Sequence, residues 1–273
     1  MNSSRSTVLI TGASSGIGKA TALLFQQRGW NVAATMRSPD KASDLQGLDR
    51  LLPLQLDVTE PESIQSAIAQ TLEAFGGIDV LVNNAGYGLM GPFENCELEQ
   101  IRRQFDTNVF GLMAVSQFVL PHFRDRKRGT LINISSIGGR VTFPLYSLYH
   151  STKWAVEGFS ESLHYELAPL NIQVKVVEPG PIKTDFYERS ADRQLKLDSD
   201  YQAFYERVMP KMNKAGQSGS PPEAVAEVIF KAATDKSDRL RYAAGKQAGF
   251  LLTLRKLLPE PLFYQFIRQI LIR

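Results

Sequence analysis

The stretch TGASSGIG, residues 11–18, decides the fold of this chain. It follows an apolar run at 7–10 that is typical of a buried strand, and it opens a helical pattern that continues to about residue 28. Glycines there permit a tight turn and a close approach of the backbone to a diphosphate, while the helix N-terminus supplies free N–H groups. The spacing is G-x-x-x-G-x-G, and an ordinary strand-to-helix turn is the alternative to a nucleotide site.

Short apolar runs and longer helical patterns alternate through the first two-thirds of the chain. This alternation predicts an α/β fold with a parallel sheet and right-handed crossovers. We find no repeat and no linker, so we predict one domain over residues 1–245 and a helical extension of it over 246–273. Further strands are predicted at 31–35, 53–56, 80–82, 130–135 and 172–177. Further helices are predicted at 61–75 and 97–124, and a third carries Tyr149 and Lys153 and runs to about residue 168.

Composition and charge exclude several classes of protein. The chain has 273 residues, of which 43% are hydrophobic and 22% are charged, as in a globular domain. A net charge of +3 does not indicate nucleic acid binding, and three histidines without neighbouring ligands indicate no metal site. Cys96 is the only cysteine, so we expect no disulfide and a reducing, cytoplasmic environment. Residues 1–7 do not resemble a signal peptide, and no apolar run approaches the ~20 residues of a membrane span.

The end of the second predicted strand bears on the choice of nucleotide. It reads Ala-Thr-Met-Arg and carries no carboxylate for a ribose diol, whereas the guanidinium of Arg37 suits a 2′-phosphate. The sequence therefore favours NADP(H), and a solvated Arg37 near Asp40 is the alternative. Asp57 and Val58 close the third strand, where an aspartate can meet the adenine amino group. Capping of the loop before Thr59 is an alternative role for Asp57.

Tyr149 and Lys153 lie four residues apart within a predicted helix, so their side chains share one face. A cation roughly 4 Å from a phenol favours the phenolate by about 4 kcal/mol at an effective dielectric of about 20. That is about three pKa units, which brings a tyrosine pKa of ~10 close to neutrality. Tyr146 has His150 at the same spacing and lacks such a cation, so we expect it to line the substrate cleft. A surface tyrosine and a solvated lysine are the alternative reading.

With these pieces in order, the chain resembles the short-chain dehydrogenase/reductase family over about residues 7–184. The resemblance rests on TGASSGIG at 11–18, NNAG at 83–86, Asn108, NISS at 133–136, YHSTK at 149–153 and EPGPIKT at 178–184. It implies a single Rossmann-like three-layer domain, in which a seven-stranded parallel sheet has helices on both faces. It also implies a Ser-Tyr-Lys mechanism that is extended by an asparagine.

The resemblance assigns roles to individual residues. Tyr149 is expected to be the general acid or base, and Lys153 to lower its pKa and hold the nicotinamide ribose. Ser136 is expected to hydrogen-bond the substrate oxygen; Ser135 is the weaker choice, because adjacent strand residues face opposite ways. Asn108 matches the residue whose backbone carbonyl holds a proton-relay water, and an exposed mid-helix asparagine is the alternative. The cofactor residues are expected to be Gly12, Ser14, Ser15, Gly16, Ile17, Gly18, Arg37, Asp57, Val58, Asn84, Ala85, Gly86, Tyr149, Lys153, Pro179, Gly180, Ile182 and Thr184.

The general pattern is similar to the steroid and retinoid branch of the family, which implies hydride transfer between NADP(H) and a bulky apolar ketone, aldehyde or secondary alcohol. A reductase of 3-oxoacyl thioesters and a non-catalytic NADP(H) sensor are alternatives. The family also forms homodimers or homotetramers, and the helices that carry Glu97 and Tyr149 are the expected contact.

The resemblance weakens after Thr184. In the family, the segment that corresponds to 185–217 forms a flap over the substrate, and here it contains Tyr187, Tyr201, Phe204 and Tyr205. At the C-terminus, apolar residues recur at helical spacing and basic residues outnumber acidic ones. This amphipathic helix could cover its own domain or a neighbouring subunit, close over the substrate cleft, or contact a membrane surface. The apolar positions are Leu262, Phe263, Phe266, Ile267, Ile270 and Leu271.

Overall fold

Seven parallel strands form one sheet in the computed structural model, which describes residues 5–184 and 198–273. The order across the sheet is β3-β2-β1-β4-β5-β6-β7. The strands are β1 (Thr7–Thr11), β2 (Asn31–Met36), β3 (Leu51–Gln55), β4 (Val80–Asn83), β5 (Gly129–Ile134), β6 (Ile172–Pro179) and β7 (Arg241–Ala244). The helices are α1 (Gly16–Gln27), α2 (Pro61–Phe75), α3 (Leu98–Phe105), α4 (Leu112–Arg126), α5 (Ser147–Leu167), α6 (Ser199–Gln217), α7 (Pro222–Thr234), α8 (Ala248–Leu257) and α9 (Glu260–Leu271).

Alternate residues of the strands feed two hydrophobic cores, one on each face of the sheet. On one face, Val8 and Ile10 of β1 pack with Phe25 of α1 and Ile229 of α7. On the other face, Leu9 packs with residues of α2, α4 and α5. Burial on both faces explains why the strands read as continuous apolar runs. The predicted three-layer α/β fold is confirmed.

Strand β7, the long helix after β4 and the start of β3 differ from the predictions. Strand β7 has the sequence Arg-Tyr-Ala-Ala, which is too short and too poor in β-branched residues to predict a strand. The helix predicted over 97–124 is not continuous, because the segment Asp106–Gly111 between α3 and α4 forms a π-helical turn. Strand β3 begins two residues earlier than predicted and contains Pro53. It tolerates this proline because it is an edge strand.

The C-terminal extension consists of two helices, whereas one amphipathic helix was predicted. Pro259 separates α8 from α9, and a proline there prevents α8 from continuing. Phe263, Ile267 and Leu271 form the buried face of α9 and pack against Val141. The extension therefore folds onto its own domain along this face.

The order of the strands determines where a ligand can bind. The chain runs outward from β1 to β3 on one side and from β4 to β7 on the other, so the direction reverses between β1 and β4. Ligands of open α/β sheets bind at such a point, beyond the carboxyl ends of the strands. Within residues 5–184 and 198–273, no helix is long and apolar enough to cross a membrane.

Candidate active site

A cavity of about 1300 Å³ lies beyond the carboxyl ends of the strands. Its walls come from the loops after β1, β2, β3, β4, β5 and β6, and also from α5, α6, α8 and α9. Every residue predicted for catalysis or cofactor binding lines this cavity except Gly18 and Asn108, which lie behind its wall. The structure therefore brings together residues that are up to 172 positions apart in the predicted set, from Gly12 to Thr184.

The loop after β1 is held in a conformation that needs glycine. Gly12 and Gly16 have φ values of +68° and +54°, in the left-handed region that other residues rarely adopt. A Cβ on Gly18 would lie 2.3 Å from the Gly12 carbonyl oxygen and 2.5 Å from Nδ2 of Asn84. That Nδ2 donates hydrogen bonds to the carbonyl oxygens of Thr11 (2.9 Å) and Gly12 (3.0 Å). Asn84 thus fixes the shape of the loop.

The N-terminus of α1 carries unneutralised positive dipole at this loop. Ser15 is the N-cap residue, but its side chain makes no capping hydrogen bond, and the first turn contains no acidic residue. A Cβ on Gly16 would lie 3.3 Å from Cγ2 of Thr184, so the segment after β6 passes directly beside this helix end. Glycine loop, uncapped helix end and neighbouring segment fit the diphosphate of a dinucleotide.

Arg37 stands exposed at the end of β2, on the rim of the same cavity. In the described part of the chain no ion pair joins Arg37 to Asp40, which leaves the guanidinium available to a phosphate. Asp57 also lines the cavity, but its Oδ1 accepts hydrogen bonds from the backbone N–H (3.0 Å) and hydroxyl (2.8 Å) of Thr59. The capping role considered for Asp57 is therefore present in the fold.

Helix α5 brings Tyr149 and Lys153 onto one wall of the cavity. The Lys153 Nζ atom lies 5.8 Å from the centre of the Tyr149 ring and donates a hydrogen bond of 2.8 Å to the Ile134 carbonyl oxygen. Lys153 is buried, so the solvated lysine considered above is not what the fold contains. Burial lowers the pKa of Lys153 to about 8, and the neighbouring carboxylate of Glu157 opposes this shift.

The two serines after β5 occupy different environments. Ser136 caps the short 3₁₀ turn Ile137–Gly139, and its Oγ accepts a hydrogen bond of 3.0 Å from the Gly138 N–H. Ser135 is buried, and its Oγ lies 2.6 Å from the position that a Cβ on Gly139 would take. Both serines line the cavity, but the Ser135 Oγ is buried, whereas the Ser136 hydroxyl donates only a long hydrogen bond of 3.5 Å to the Pro179 carbonyl oxygen.

Asn108 lies in the π-helical turn and is buried, so the exposed mid-helix reading is wrong. Its Oδ1 accepts from the Tyr87 N–H (3.0 Å), and its Nδ2 donates to the Tyr87 carbonyl (2.8 Å) and to Oγ1 of Thr152 (3.1 Å). The side chain thereby ties the loop after β4 to helix α5. In a π turn, backbone carbonyls accept hydrogen bonds from the N–H groups five residues later. Such turns are frequent at functional sites.

Aromatic side chains shape the cavity next to Tyr149. Tyr146 is buried in the wall, as predicted, and stacks on His150 with ring centres 5.7 Å apart. The Nδ1 atom of His150 accepts a hydrogen bond of 3.3 Å from the Phe143 N–H. Burial lowers the pKa of His150 to about 4, so its ring is neutral near pH 7.

The sequence reasoning missed much of the remaining wall. Its residues come from the loops after β4 and β5 and from the C-terminal helices, and most are apolar. Helical spacing placed two of them, Phe266 and Ile270, on an apolar face, and closure of that face over the substrate cleft was one of the alternatives left open. For the other missed residues, no local sequence pattern predicts a place in the cavity wall. The missed residues include Tyr87, Thr107, Phe143, Met212, Phe250, Leu251, Phe266 and Ile270.

A doubly wound sheet, a glycine loop at the reversal point and a Ser-Tyr-Lys wall define the nucleotide-dependent oxidoreductases of the α/β class. The chain belongs to the short-chain dehydrogenase/reductase family, since the family model described as short chain dehydrogenase matches residues 6–195. It is therefore an oxidoreductase of that family.

Relatives and solved structures extend the likeness beyond the matched residues. An uncharacterized oxidoreductase of Schizosaccharomyces pombe is 42% identical over 84% of this chain and 96% of its own. A 3-ketodihydrosphingosine reductase of Bacteroides thetaiotaomicron is 35% identical over 91% of both chains. A short-chain dehydrogenase structure from Streptomyces avermitilis matches with TM-score 0.84 and 35% identity over 98% of this chain and 99% of that one. A serine dehydrogenase complexed with NADP+ matches with TM-score 0.73 and 30% identity over 86% and 94%.

Proposed function

We propose that this protein is an NADP(H)-dependent reductase of a bulky, apolar ketone or aldehyde. The observation that carries the proposal is the pair of Tyr149 and buried Lys153 on one wall of a cavity whose remaining wall is largely apolar. The pair supplies the proton, and the apolar wall supplies the affinity for substrate.

NADP(H) would be held along the carboxyl ends of the strands. Its diphosphate suits the glycine loop and the α1 N-terminus, and its 2′-phosphate suits Arg37. The NADP+ complex of a serine dehydrogenase that is 30% identical supports this choice. When bound, the cofactor supplies the hydride. Asn84, Ala85 and Gly86 would line its central part, and the segment Pro179 to Thr184 would meet the nicotinamide.

The residues of the chain then handle the proton. Tyr149 donates its phenolic proton to the carbonyl oxygen of the substrate, and the cationic Lys153 stabilises the phenolate that is left. The Ser136 hydroxyl accepts a hydrogen bond from Gly138 and donates a long one of 3.5 Å to the Pro179 carbonyl oxygen, so its proton would turn from this weak contact to the substrate oxygen. The backbone carbonyl of Asn108 would hold a water that returns a proton. Oxidation of an alcohol follows the same steps in reverse.

The substrate proposal rests on the cavity wall formed by α6, α8 and α9. Met212, Phe250, Leu251, Phe266 and Ile270 all line it, and they offer apolar contact with little hydrogen bonding. The similarity to a 3-ketodihydrosphingosine reductase supports a long, apolar ketone as substrate. The two C-terminal helices would act as part of the substrate lid.

Assembly and location complete the proposal. Exposed aromatic residues on the π turn and α5, namely Phe110, Trp154 and Tyr165, support a homodimer or homotetramer through these helices.

Cys96 is a free thiol, which suits a reducing cytoplasm. The domain would run to residue 245, with 246–273 as its extension. Contact of α8 and α9 with a membrane surface is the alternative to a purely cytoplasmic protein, and co-sedimentation with anionic vesicles separates the two.

The test is oxidation of NADPH and NADH by the purified protein with polar and apolar carbonyl compounds. We expect turnover that prefers NADPH and apolar ketones, and a loss of about 10²–10⁴-fold in Tyr149→Phe with NADPH affinity retained. Arg37→Met should weaken NADPH and leave NADH unchanged. Retained turnover in Tyr149→Phe, or activity confined to small polar compounds or carrier thioesters, would contradict the proposal. Tight NADPH binding without any turnover would favour a sensor.

A further inference from the structure

Helix α5 continues the Tyr149–Lys153 row with two carboxylates. Glu157 and Glu161 follow at the same spacing of four residues, so the four side chains lie in one row along the helix. Glu157 is buried, like Lys153, whereas the Glu161 side chain is 47% exposed. Burial of either charge alone would cost free energy, so the placement of a buried carboxylate one helical turn from a buried ammonium indicates that the two charges stabilise each other.

The surroundings of Glu157 hold it in place. Its Oε2 accepts a hydrogen bond of 2.9 Å from Nε of Arg241, while its Oε1 is buried and accepts no hydrogen bond from the residues that the structure describes. A Cβ on Gly139 would lie 2.8 Å from Cγ of Glu157 and 3.1 Å from the Lys153 carbonyl oxygen. The backbone that follows Ser136 therefore covers the helix between Lys153 and Glu157.

The charges around Glu157 balance without Lys153 only while Glu178 holds a proton. Glu178 is the third carboxyl of the cluster, and its Oε1 lies 3.6 Å from Arg140 and 3.9 Å from Arg241. Above about pH 7, where Glu178 is ionised, Glu157, Glu161 and Glu178 face two guanidinium groups, which leaves one carboxylate in excess. The buried ammonium of Lys153 is the neighbouring cation that compensates it.

We propose that Glu157 is a positioning residue whose buried carboxylate keeps Lys153 protonated and so maintains the cation that Tyr149 requires. The inference rests on the proposed function, in which Lys153 stabilises the Tyr149 phenolate. The inference adds that a buried lysine does not keep its positive charge by itself. The carboxylate one turn away on the same helix maintains it.

The electrostatics around Lys153 support this geometry. Burial lowers the pKa of Lys153 to about 8, and Glu157 is the charge that opposes the shift. Burial and the neighbouring Glu157 raise the pKa of Glu178 to about 7, so Glu178 takes up a proton near neutrality. His150, on the other side of Tyr149, is neutral there because burial lowers its pKa to about 4. The guanidinium groups of Arg140 and Arg241 form ion pairs with the carboxylates of this cluster.

The test is a pH titration of tyrosinate absorbance in the protein without cofactor. The chain has nine tyrosines, so the curve of Tyr149→Phe is subtracted to isolate Tyr149. In Glu157→Gln, the glutamine oxygen can still accept from Arg241. We expect Lys153 to lose its proton more easily, and the pKa of Tyr149 to rise by about one unit. Glu161→Gln, which removes a carboxylate from the same Arg241, is the control and should leave Tyr149 unchanged.

The sign of the shift decides the question. If Lys153 stayed protonated in Glu157→Gln, removal of a negative charge would lower the Tyr149 pKa or leave it unchanged, and either result overturns the inference. Glu157→Asp retains the charge and should restore the wild-type titration, which separates the role from a defect in folding. The titration needs no turnover, so loss of activity in Tyr149→Phe and the shift in Glu157→Gln test the function and the inference separately.

Discussion

The segment before residue 185 and the C-terminal segment 248–271, which carries α8 and α9, build one cavity under different constraints. In the first, backbone and short polar side chains meet closely, as where a Cβ on Gly18 would lie 2.3 Å from a carbonyl oxygen. In the second, α8 leaves Leu257 73% and Phe250 64% exposed, and only one face of α9 is buried. Chemistry thus requires fixed backbone geometry, while the substrate wall requires only apolar surface of suitable shape.

The same substitution in both segments is the strongest way to break this comparison. In Gly18→Ala the new methyl group meets backbone on one side and Asn84 on the other, so the loop must shift. We expect the free energy of unfolding to fall by about 3 kcal/mol or more, and NADPH affinity to fall with it. Gly249→Ala meets nothing within 4 Å, and in helix α8 it should be neutral or stabilising by up to ~1 kcal/mol.

Urea unfolding and a fluorescence titration with NADPH measure both variants. Similar losses in Gly18→Ala and Gly249→Ala would mean that the two segments are equally constrained. A stable Gly18→Ala protein with unchanged NADPH affinity would remove the reason for assigning the diphosphate to this loop.

The first segment could be predicted from the sequence because its signals are local. The glycine loop, the apolar strands and the Tyr149–Lys153 spacing each act within a few residues. Six strands and a parallel α/β sheet followed from the pattern, and the family resemblance implied the three layers. The π turn at Asn108 could not be predicted, since its i→i+5 pairing leaves no pattern in a helical sequence. Glu157 did leave a signal, its four-residue distance from Lys153, but only burial gave that distance a meaning.

The second segment shows where local signals end. The periodicity of residues 262–271 predicted an amphipathic helix, and the buried face of α9 confirms its apolar side. That Phe266 and Ile270 of the same helix line the cavity depends on how α9 packs against α6 and the loop that carries Val141, which is tertiary information. The flap position Tyr187 lies outside the described residues, whereas Tyr205 packs near Tyr146 and Met209.

The first segment should also determine how stability depends on pH. Because the folded-state pKa of His150 is about 4 against an ordinary 6.5, the unfolded chain binds a proton between these values and the folded chain does not. The stabilisation is complete above pH ~6.5 and is lost as the pH falls, by about 2 kcal/mol at pH ~5. His150→Asn, whose side-chain oxygen can still accept from the Phe143 N–H, should flatten this decline.

Urea unfolding of wild type and variant at several pH values measures this dependence. An unchanged slope in His150→Asn would mean that other groups cause the acid sensitivity.

The smallest effect should come from the second segment, and it separates substrate binding from chemistry. Ile270 and Leu257 are both exposed apolar residues on the C-terminal helices, at 51% and 73%, but only Ile270 lines the cavity. In Ile270→Ala we expect KM for an apolar ketone to rise about 5-fold, close to 1 kcal/mol of lost contact, with kcat unchanged. In Leu257→Ala both constants should stay at wild-type values. A fall in kcat for Ile270→Ala would show that α9 also positions the reacting groups, and the division between a chemical and a substrate-binding segment would then fail.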